Sequence, residues 1–177
     1  MKRFWPSIII LLAAIVSFIY LTGMPILAFF DIPSLIIAIV IPFLFVTILF
    51  GFKKTHRAFS IIRKDTNEQA TLQTALVFFR VYGKATWIAA FIAAFIGSIG
   101  IFYYLDEPAA VGPNFALILI ALIYCGIVQM TVVLPYTVLI HKQLGDSRIK
   151  NDVLSLFGSL FGVLIVYLIF LVIVAPM

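Results

Sequence analysis

The sequence predicts an all-α integral membrane protein with about five transmembrane helices, and three observations lead to this fold class. The chain has 177 residues, of which 64% are hydrophobic and only 11% are charged. Its mean hydropathy of +1.23 lies well outside the range of soluble domains. Stretches of about 20 apolar residues recur along it, each long enough to cross a bilayer as a helix.

These stretches predict five spans in a single membrane domain, residues 1–177. The start of the chain, Met1-Lys2-Arg3 and an apolar run, also has the outline of a cleaved signal peptide. The run to Phe30 is too long and lacks an Ala-x-Ala site, which favours a retained first helix. Gly23-Met24-Pro25 is expected to kink this helix or end it early. The predicted spans, none of which contains Asp, Glu, Lys or Arg, cover residues 7–30, 33–52, 85–105, 114–140 and 153–175.

The basic residues predict the orientation. With five spans, all twelve Lys and Arg fall on one side, and cytoplasmic loops retain these residues. The N-terminus and residues 53–84 and 141–152 are therefore predicted to be cytoplasmic, and the C-terminus external. The external connections around Asp31 and Asp106-Glu107 carry only acids. The sequence pI of about 9.5 follows from basic loops beside the lipid bilayer and does not indicate a nucleic-acid partner.

Residues 53–84 are predicted to form a cytoplasmic helical segment that leads into span three. Asp65-Thr66-Asn67-Glu68 has the form of a capping box, with Asp65 as the N-cap. An apolar stripe follows at helical spacing, and we expect it to pack on a neighbouring helix rather than to form a docking surface. The stripe comprises Leu72, Ala75, Leu76, Phe79 and Tyr82 or Gly83, whereas Gln69, Gln73, Arg80 and Lys84 occupy the other faces.

Small residues at four-residue intervals predict close helix contacts in spans three and five, because they let two backbones approach in lipid. Contact within the chain and contact between copies are both compatible with this pattern. The predicted packing positions are Ala89, Ala93 and Gly97 on one line, Ala90, Ala94 and Ser98 on the next, and Gly158 and Gly162 in span five.

The polar residues of the spans predict no catalytic, metal or cofactor site, since no carboxylate pair, ligand cluster or Ser-His-Asp set shares one depth. His56 and His141 are expected at the membrane interface. Cys125 is the only cysteine, which excludes a disulfide within the chain. Ion pathways usually contain an intramembrane ionisable residue. The predicted spans contain none, so if the chain conducts ions, the titrating carboxylate must come from another polypeptide.

Weakly polar residues remain as candidates for pore lining or helix contact. For Gln129 the favoured interpretation is a hydrogen bond between helices, with pore lining as the alternative. Pro135 removes one helical hydrogen bond, frees the carbonyl of Thr131 and should kink span four. The candidates are Ser98, Tyr124, Gln129, Thr131 and Pro135.

The connection between spans three and four, residues 105–113, is predicted to be an external turn. Its acids cannot lie in hydrocarbon, its prolines lack amide hydrogens, and glycine tolerates backbone angles that other residues avoid. The residues that define it are Asp106, Glu107, Pro108, Gly112 and Pro113.

This connection closely resembles the Leu-Asp-Asp-Pro-x-x-x-Gly-Pro loop between the third and fourth helices of flagellar motor protein A, in the motor A/TolQ/ExbB proton-channel family. The resemblance extends over about residues 25–140. The other stretches that carry it are Asp31-Ile32-Pro33-Ser34-Leu35-Ile36, residues 75–84, Gly97-Ser98, Tyr124-Cys125-Gly126 and Leu134-Pro135.

The resemblance implies a homopentamer in the bacterial inner membrane. The ring would surround two single-span partners of the motor B or ExbD kind, and the partner's aspartate would carry the ion. Spans three and four would form the walls, and the output would be mechanical work rather than catalysis.

The chain departs from the family in four ways. No proline occurs between Ala85 and Ile101, and Leu122 and Ile123 stand where the family has threonines. The cytoplasmic segment is short, and span five is additional. These departures support an alternative, a non-conducting structural or assembly protein that keeps only the scaffold.

Overall fold

The structure is a computed structural model that describes residues 4–21, 23, 25–61, 68–104, 106, 108–145, 158 and 165, and every regular element among them is helical. Helix α1 (Phe4–Leu21) is followed by a 3-10 turn (Ile26–Phe29). Helices α2 (Ile32–Phe50) and α3 (Phe52–Ser60) come next. The two longest helices are α4 (Gln69–Tyr103) and α5 (residues 108–144).

Three helices in the described part of the chain are long and apolar enough to cross a membrane: Ile32–Phe50, Gln69–Tyr103 and Val111–Leu144. They fall on predicted spans two, three and four. Predicted span five lies outside the described residues, apart from the backbones of Gly158 and Ile165, which are helical. The chain is therefore an all-α protein with helices of membrane-spanning length.

The first predicted span, residues 7–30, is not one continuous helix. Helix α1 ends at Leu21, and Gly23 adopts a positive φ of 70°. Pro25, in an extended conformation, then precedes the separate 3-10 turn. The predicted early end at Gly23-Met24-Pro25 therefore occurs, because the left-handed glycine angle and the proline ring both end the run of helical hydrogen bonds.

The predicted capping box does not start helix α4, and its first three residues, Asp65, Thr66 and Asn67, lie outside the described residues. Helix α4 begins at Gln69, so Glu68 is the N-cap, with φ −79° and ψ 101°. The backbone N–H groups of Thr71 and Leu72 donate to its carbonyl. The Thr71 hydroxyl donates to the Glu68 carboxylate over 2.7 Å, so this carboxylate turns toward the helix rather than back along the chain.

The predicted continuous helix that leads from residues 53–84 into span three is confirmed, since α4 runs unbroken over 35 residues. Its predicted apolar stripe is buried from Leu72 to Tyr82. The stripe packs on α2, α3 and the end of α5 through aromatic contacts. Phe59 of α3 contacts both Phe78 and Phe79, and Phe79 stacks on Tyr136 with ring centroids 4.3 Å apart.

Helices α4 and α5 pack antiparallel along a line of glycines. A Cβ atom on Gly97 would lie 2.5 Å from Ile118 Cγ1, and one on Gly100 would lie 2.6 Å from Asn114 Oδ1. The small residues of span three thus make contact within the chain. Ala89, Ala90 and Gly97 are buried, whereas Ala93, Ala94 and Ser98 are half-buried beside them.

Each of two prolines follows a π turn in a long helix. In α2 the π turn is Ile36–Val40, and Ile41 N–H donates to Ile36 O, five residues back; Pro42 comes next. In α5 the π turn is Gln129–Val133, Leu134 N–H donates to Gln129 O, and Pro135 comes next. A π turn widens the helix by one residue. The proline ring, which would clash with the carbonyl four residues back in an α-helix, fits this wider turn.

The glycine contact predicts a difference between Gly97→Ala and Gly126→Ala. The first change should lower the free energy of unfolding by about 1–3 kcal/mol, because the new methyl group displaces Ile118. The second, which has no atom within 4 Å of its added Cβ, should be neutral or raise it by up to about 1 kcal/mol through helix propensity. Unfolding of the purified protein in mixed micelles measures both, and equal losses would contradict the contact.

Candidate functional site: polar contacts between the long helices

A buried polar contact joins α4 and α5. The Gln129 Nε2 group donates to the Gly83 carbonyl over 2.7 Å and to Thr86 Oγ1 over 2.9 Å. Thr86 Oγ1 itself donates to the Gly83 carbonyl over 2.8 Å. Gln129 is 3% exposed and Thr86 is fully buried. The predicted hydrogen bond between helices at Gln129 is therefore present.

Two local features let the Gln129 side chain reach α4. Gly83 has no side chain, and a Cβ there would lie 2.9 Å from Val133 Cγ1 and 3.2 Å from Gln129 Oε1. Gln129 is also the first residue of the π turn in α5. Cys125, one turn earlier and fully buried, lies against Thr86 and Gln129.

Thr86 is not among the residues that the sequence patterns predicted for this site. Two signals could have identified it: its position three residues after Gly83 on the buried stripe, and its being a polar residue on that stripe. A threonine at such a position needs a hydrogen-bond partner, which is either its own helix or the facing one.

Tyr124 connects α5 to the turn between α1 and α2. Its hydroxyl donates to the Phe29 carbonyl over 2.6 Å and accepts the Asp31 backbone N–H over 3.0 Å. The Asp31 carboxylate caps α2 by accepting the Ser34 N–H over 2.7 Å. The Tyr124 hydroxyl therefore holds both sides of the short non-helical segment between the 3-10 turn and α2.

The Tyr124 contact places the Asp31 turn far from the Asp106 connection, measured along the axis of α5. Tyr124 lies 16 residues after Pro108, which is about 24 Å along the helix. The two connections that were predicted to share the external surface thus lie at different heights along α5. The Asp31 turn ends beside the middle of predicted span four, because the Tyr124 phenol offers the turn both a donor and an acceptor there.

The predicted external turn at residues 105–113 is shorter than expected. Helix α5 already begins at Pro108, so Gly112 and Pro113 are helical residues rather than turn residues. Gly112 has no positive φ. Pro113 lies in the second turn of the helix, where Ala109 is exposed and solvent can take the place of the lost hydrogen bond. Asp106 is exposed in the turn, and Glu107 lies outside the described residues.

Two of the predicted pore-lining or helix-contact candidates hydrogen-bond within their own helix. Ser98 Oγ donates to the Ala94 carbonyl over 2.8 Å, and Thr131 Oγ1 donates to the Ile127 carbonyl over 2.7 Å. Pro135 is half-buried directly after the π turn. A pore-lining role for these residues stays a prediction.

His141 is buried and His56 is exposed, and the position of both at the membrane interface stays a prediction. His141 Nε2 lies 3.2 Å from Arg80 Nη2, and guanidinium is always a donor, so this ring nitrogen accepts. Arg80 was predicted on a polar face of α4 but is half-buried by this contact. The interaction was not foreseen because the two residues are 61 positions apart.

Within the described part of the chain, no group of three or more His, Cys, Asp or Glu residues could hold a metal ion. No protein-family model matches the chain, and comparisons with curated proteins and with solved structures find no match. The site is therefore interpreted from its own geometry, in which polar side chains of α5 bind neighbouring segments of the same chain.

The Gln129 contact predicts a measurable coupling to Thr86. Gln129→Leu should lower the free energy of unfolding by about 0.6–1.7 kcal/mol, the range for hydrogen bonds between membrane helices. A double-mutant cycle with Thr86→Val should return most of that value as interaction energy. Thr131→Val, which removes a hydroxyl bonded only within its own helix, is the control. A loss as large in the control as in Gln129→Leu would contradict the assignment.

The Tyr124 contact predicts local opening of the Asp31 turn. Tyr124→Phe should speed hydrogen exchange of the Asp31 amide roughly 2- to 12-fold, the effect of losing one hydrogen bond. Mass spectrometry of a peptide covering residues 28–36 measures the exchange. Tyr103→Phe, at a residue that is 80% exposed, should leave it unchanged. Identical exchange in Tyr124→Phe and the wild type would refute the contact.

Proposed function

We propose that this chain is a ring-forming inner-membrane subunit resembling the motor A/TolQ/ExbB family, which couples ion-motive force to mechanical work with a single-span partner. The proposal includes the five-span topology with a cytoplasmic N-terminus. The observation that carries it is the pair formed by α4 and α5. The family resemblance requires two long adjoining helices as channel walls, and these are the two longest helices of the described chain.

The outer halves of α4 and α5 support an assembly with further helices. The Asp31 turn ends beside Tyr124, so α2 does not extend along the outer half of α5. Large apolar side chains of outer α4 are correspondingly exposed. They are Ile92, Phe95, Ile96, Ile99 and Phe102. Such a surface fits lipid, a further copy of the chain or the helix of a partner.

The positions of the acids support a partner that supplies the ion-binding carboxylate. Among the described residues, Asp31 and Glu68 occupy N-cap positions and Asp106 lies in a turn. The exposed apolar face of outer α4 has no carboxylate. An ion that crosses the membrane along this face would need an ionisable group from another polypeptide.

The alternative, a non-conducting scaffold, is favoured by a separate observation. The hydrogen bonds of Gln129, Tyr124 and Thr131 are made within this chain. Ile123, where the family resemblance calls for threonine, is 43% exposed and apolar. A surface of this kind offers an ion little to replace its hydration shell.

Native mass spectrometry of the full chain, purified from its own membrane in mild detergent, tests the ring. We expect five copies with two copies of a single-span protein that bears an Asp in its membrane helix. A stable monomer or dimer without a partner would exclude the ring.

Proton uptake by vesicles that contain the intact complex separates the two functions. Coupling predicts uptake that is lost when the partner's membrane Asp is changed to Asn. A ring whose uptake equals that of empty vesicles would identify the scaffold instead.

A further inference from the structure

A recess between α3 and the start of α4 has the composition of an anion site. Its volume is about 140 Å³, well below the roughly 300–1,000 Å³ of sites for larger ligands. The lining side chains are two cations, two threonines and three alanines: Lys54, Arg57, Thr71, Thr74, Ala58, Ala70 and Ala75. The recess is therefore suited to one small anionic group.

The cations come from one face of α3. Lys54 and Arg57 are three residues apart, so their side chains lie on neighbouring positions of the helix surface. No acid occurs in Phe52–Ser60. Arginine presents a planar fork that matches two phosphate oxygens, and lysine adds a point charge.

The threonines contribute shape rather than donors. The Thr71 hydroxyl donates to the Glu68 carboxylate, and the Thr74 hydroxyl donates to the Ala70 carbonyl. The start of α4 adds partial positive charge, since the first N–H groups of a helix lack partners within it. Glu68 does not line the recess, but its carboxylate accepts the hydroxyl of the lining residue Thr71 and opposes an anion there.

Next to the recess, the exposed side chains of α2 and α3 change from apolar to basic. Ile48 and Leu49, at the end of α2, are 73% and 61% exposed. After Gly51, which turns the chain with a φ of 83°, the exposed side chains include Lys53 and Lys54. Exposed apolar side chains that give way directly to basic ones along α2 and α3 favour contact with the acyl chains and headgroups of lipids.

We propose that this recess, the α3–α4 recess, binds the phosphate group of an anionic phospholipid through Lys54 and Arg57. The exposed apolar end of α2 next to it would contact the acyl chains. The inference is independent of the ring, the partner and ion flow proposed above, because every residue in it belongs to one copy of the chain.

The test is a lipid titration of the purified full chain in neutral detergent, followed by native mass spectrometry. Phosphatidylglycerol should bind at least roughly tenfold more tightly than phosphatidylcholine. Lys54→Gln/Arg57→Gln should weaken phosphatidylglycerol binding roughly 30-fold, as expected for two basic residues near a headgroup. Glu68→Gln should strengthen phosphatidylglycerol binding roughly 5-fold by removing the opposing charge.

Lys53→Gln/Lys84→Gln is the matched control, since it removes two exposed charges that do not line the recess. It should weaken binding less than about 3-fold, far below the effect of two headgroup contacts. Circular dichroism establishes that each variant keeps its helices. Arg57→Lys keeps the charge but loses the planar fork, so it should weaken binding less than Lys54→Gln/Arg57→Gln does. It keeps the test decisive if the double variant misfolds. Equal losses in both double variants would overturn the site in favour of diffuse attraction, and equal affinity for the two lipids would overturn it outright.

Competition with inorganic phosphate distinguishes a phospholipid headgroup from free phosphate as the ligand of the recess. At millimolar concentration it should displace little phosphatidylglycerol, because the free ion lacks acyl chains that contact α2. Complete displacement would reassign the recess to free phosphate and overturn the lipid assignment.

Discussion

The close approach of α4 and α5 is the constraint on which the rest of the structure depends. Gly97 and Gly100 bring the two helices so near that a single added methyl group would overlap Ile118 or Asn114. In a membrane, apolar burial does not favour one helix pair over the lipid, so close packing and hydrogen bonds must hold it together. Gln129, Thr86 and Gly83 provide such hydrogen bonds at the other end of the same interface. Together these contacts fix the rotation and the offset of the two longest helices.

The remaining elements are attached to this pair at two levels. Near the start of α4, aromatic side chains from α2, α3 and α5 surround Phe78 and Phe79. Higher up, Tyr124 holds the turn that precedes α2. The π turns before Pro42 and Pro135 keep α2 and α5 continuous between these levels, since a wider turn accommodates each proline ring. Helix α2 therefore follows the part of α5 after Tyr124 and does not extend along the part before it.

This arrangement separates the polar side chains from the apolar surface. The amide of Gln129 and the hydroxyl groups of Tyr124 and Thr131 form hydrogen bonds within the chain, whereas Ile96, Ile99 and Ile123 are exposed. In the proposed assembly, a chain of this kind would form the wall and contribute little to binding an ion. Under the proposed function the ionisable group belongs to the partner, and the chain contributes rigidity. In α3, the exposed side chains include Lys53 and Lys54, which suits contact with anionic headgroups.

The amino-acid sequence by itself determined the fold class, the three described membrane-length helices and the buried stripe of α4, because these depend on local hydrophobicity and helical spacing. It also pointed to Gln129 as a helix contact, since an amide in an apolar span needs a partner. Only the tertiary structure decided which atoms that partner supplies, that His141 is buried against Arg80, and that Asp31 lies beside Tyr124. The structure also shows that α5 begins at Pro108 and that α4 begins at Gln69. These outcomes depend on residues up to 93 positions apart, and no local pattern specifies how far one helix slides along another before its glycines and hydrogen bonds meet.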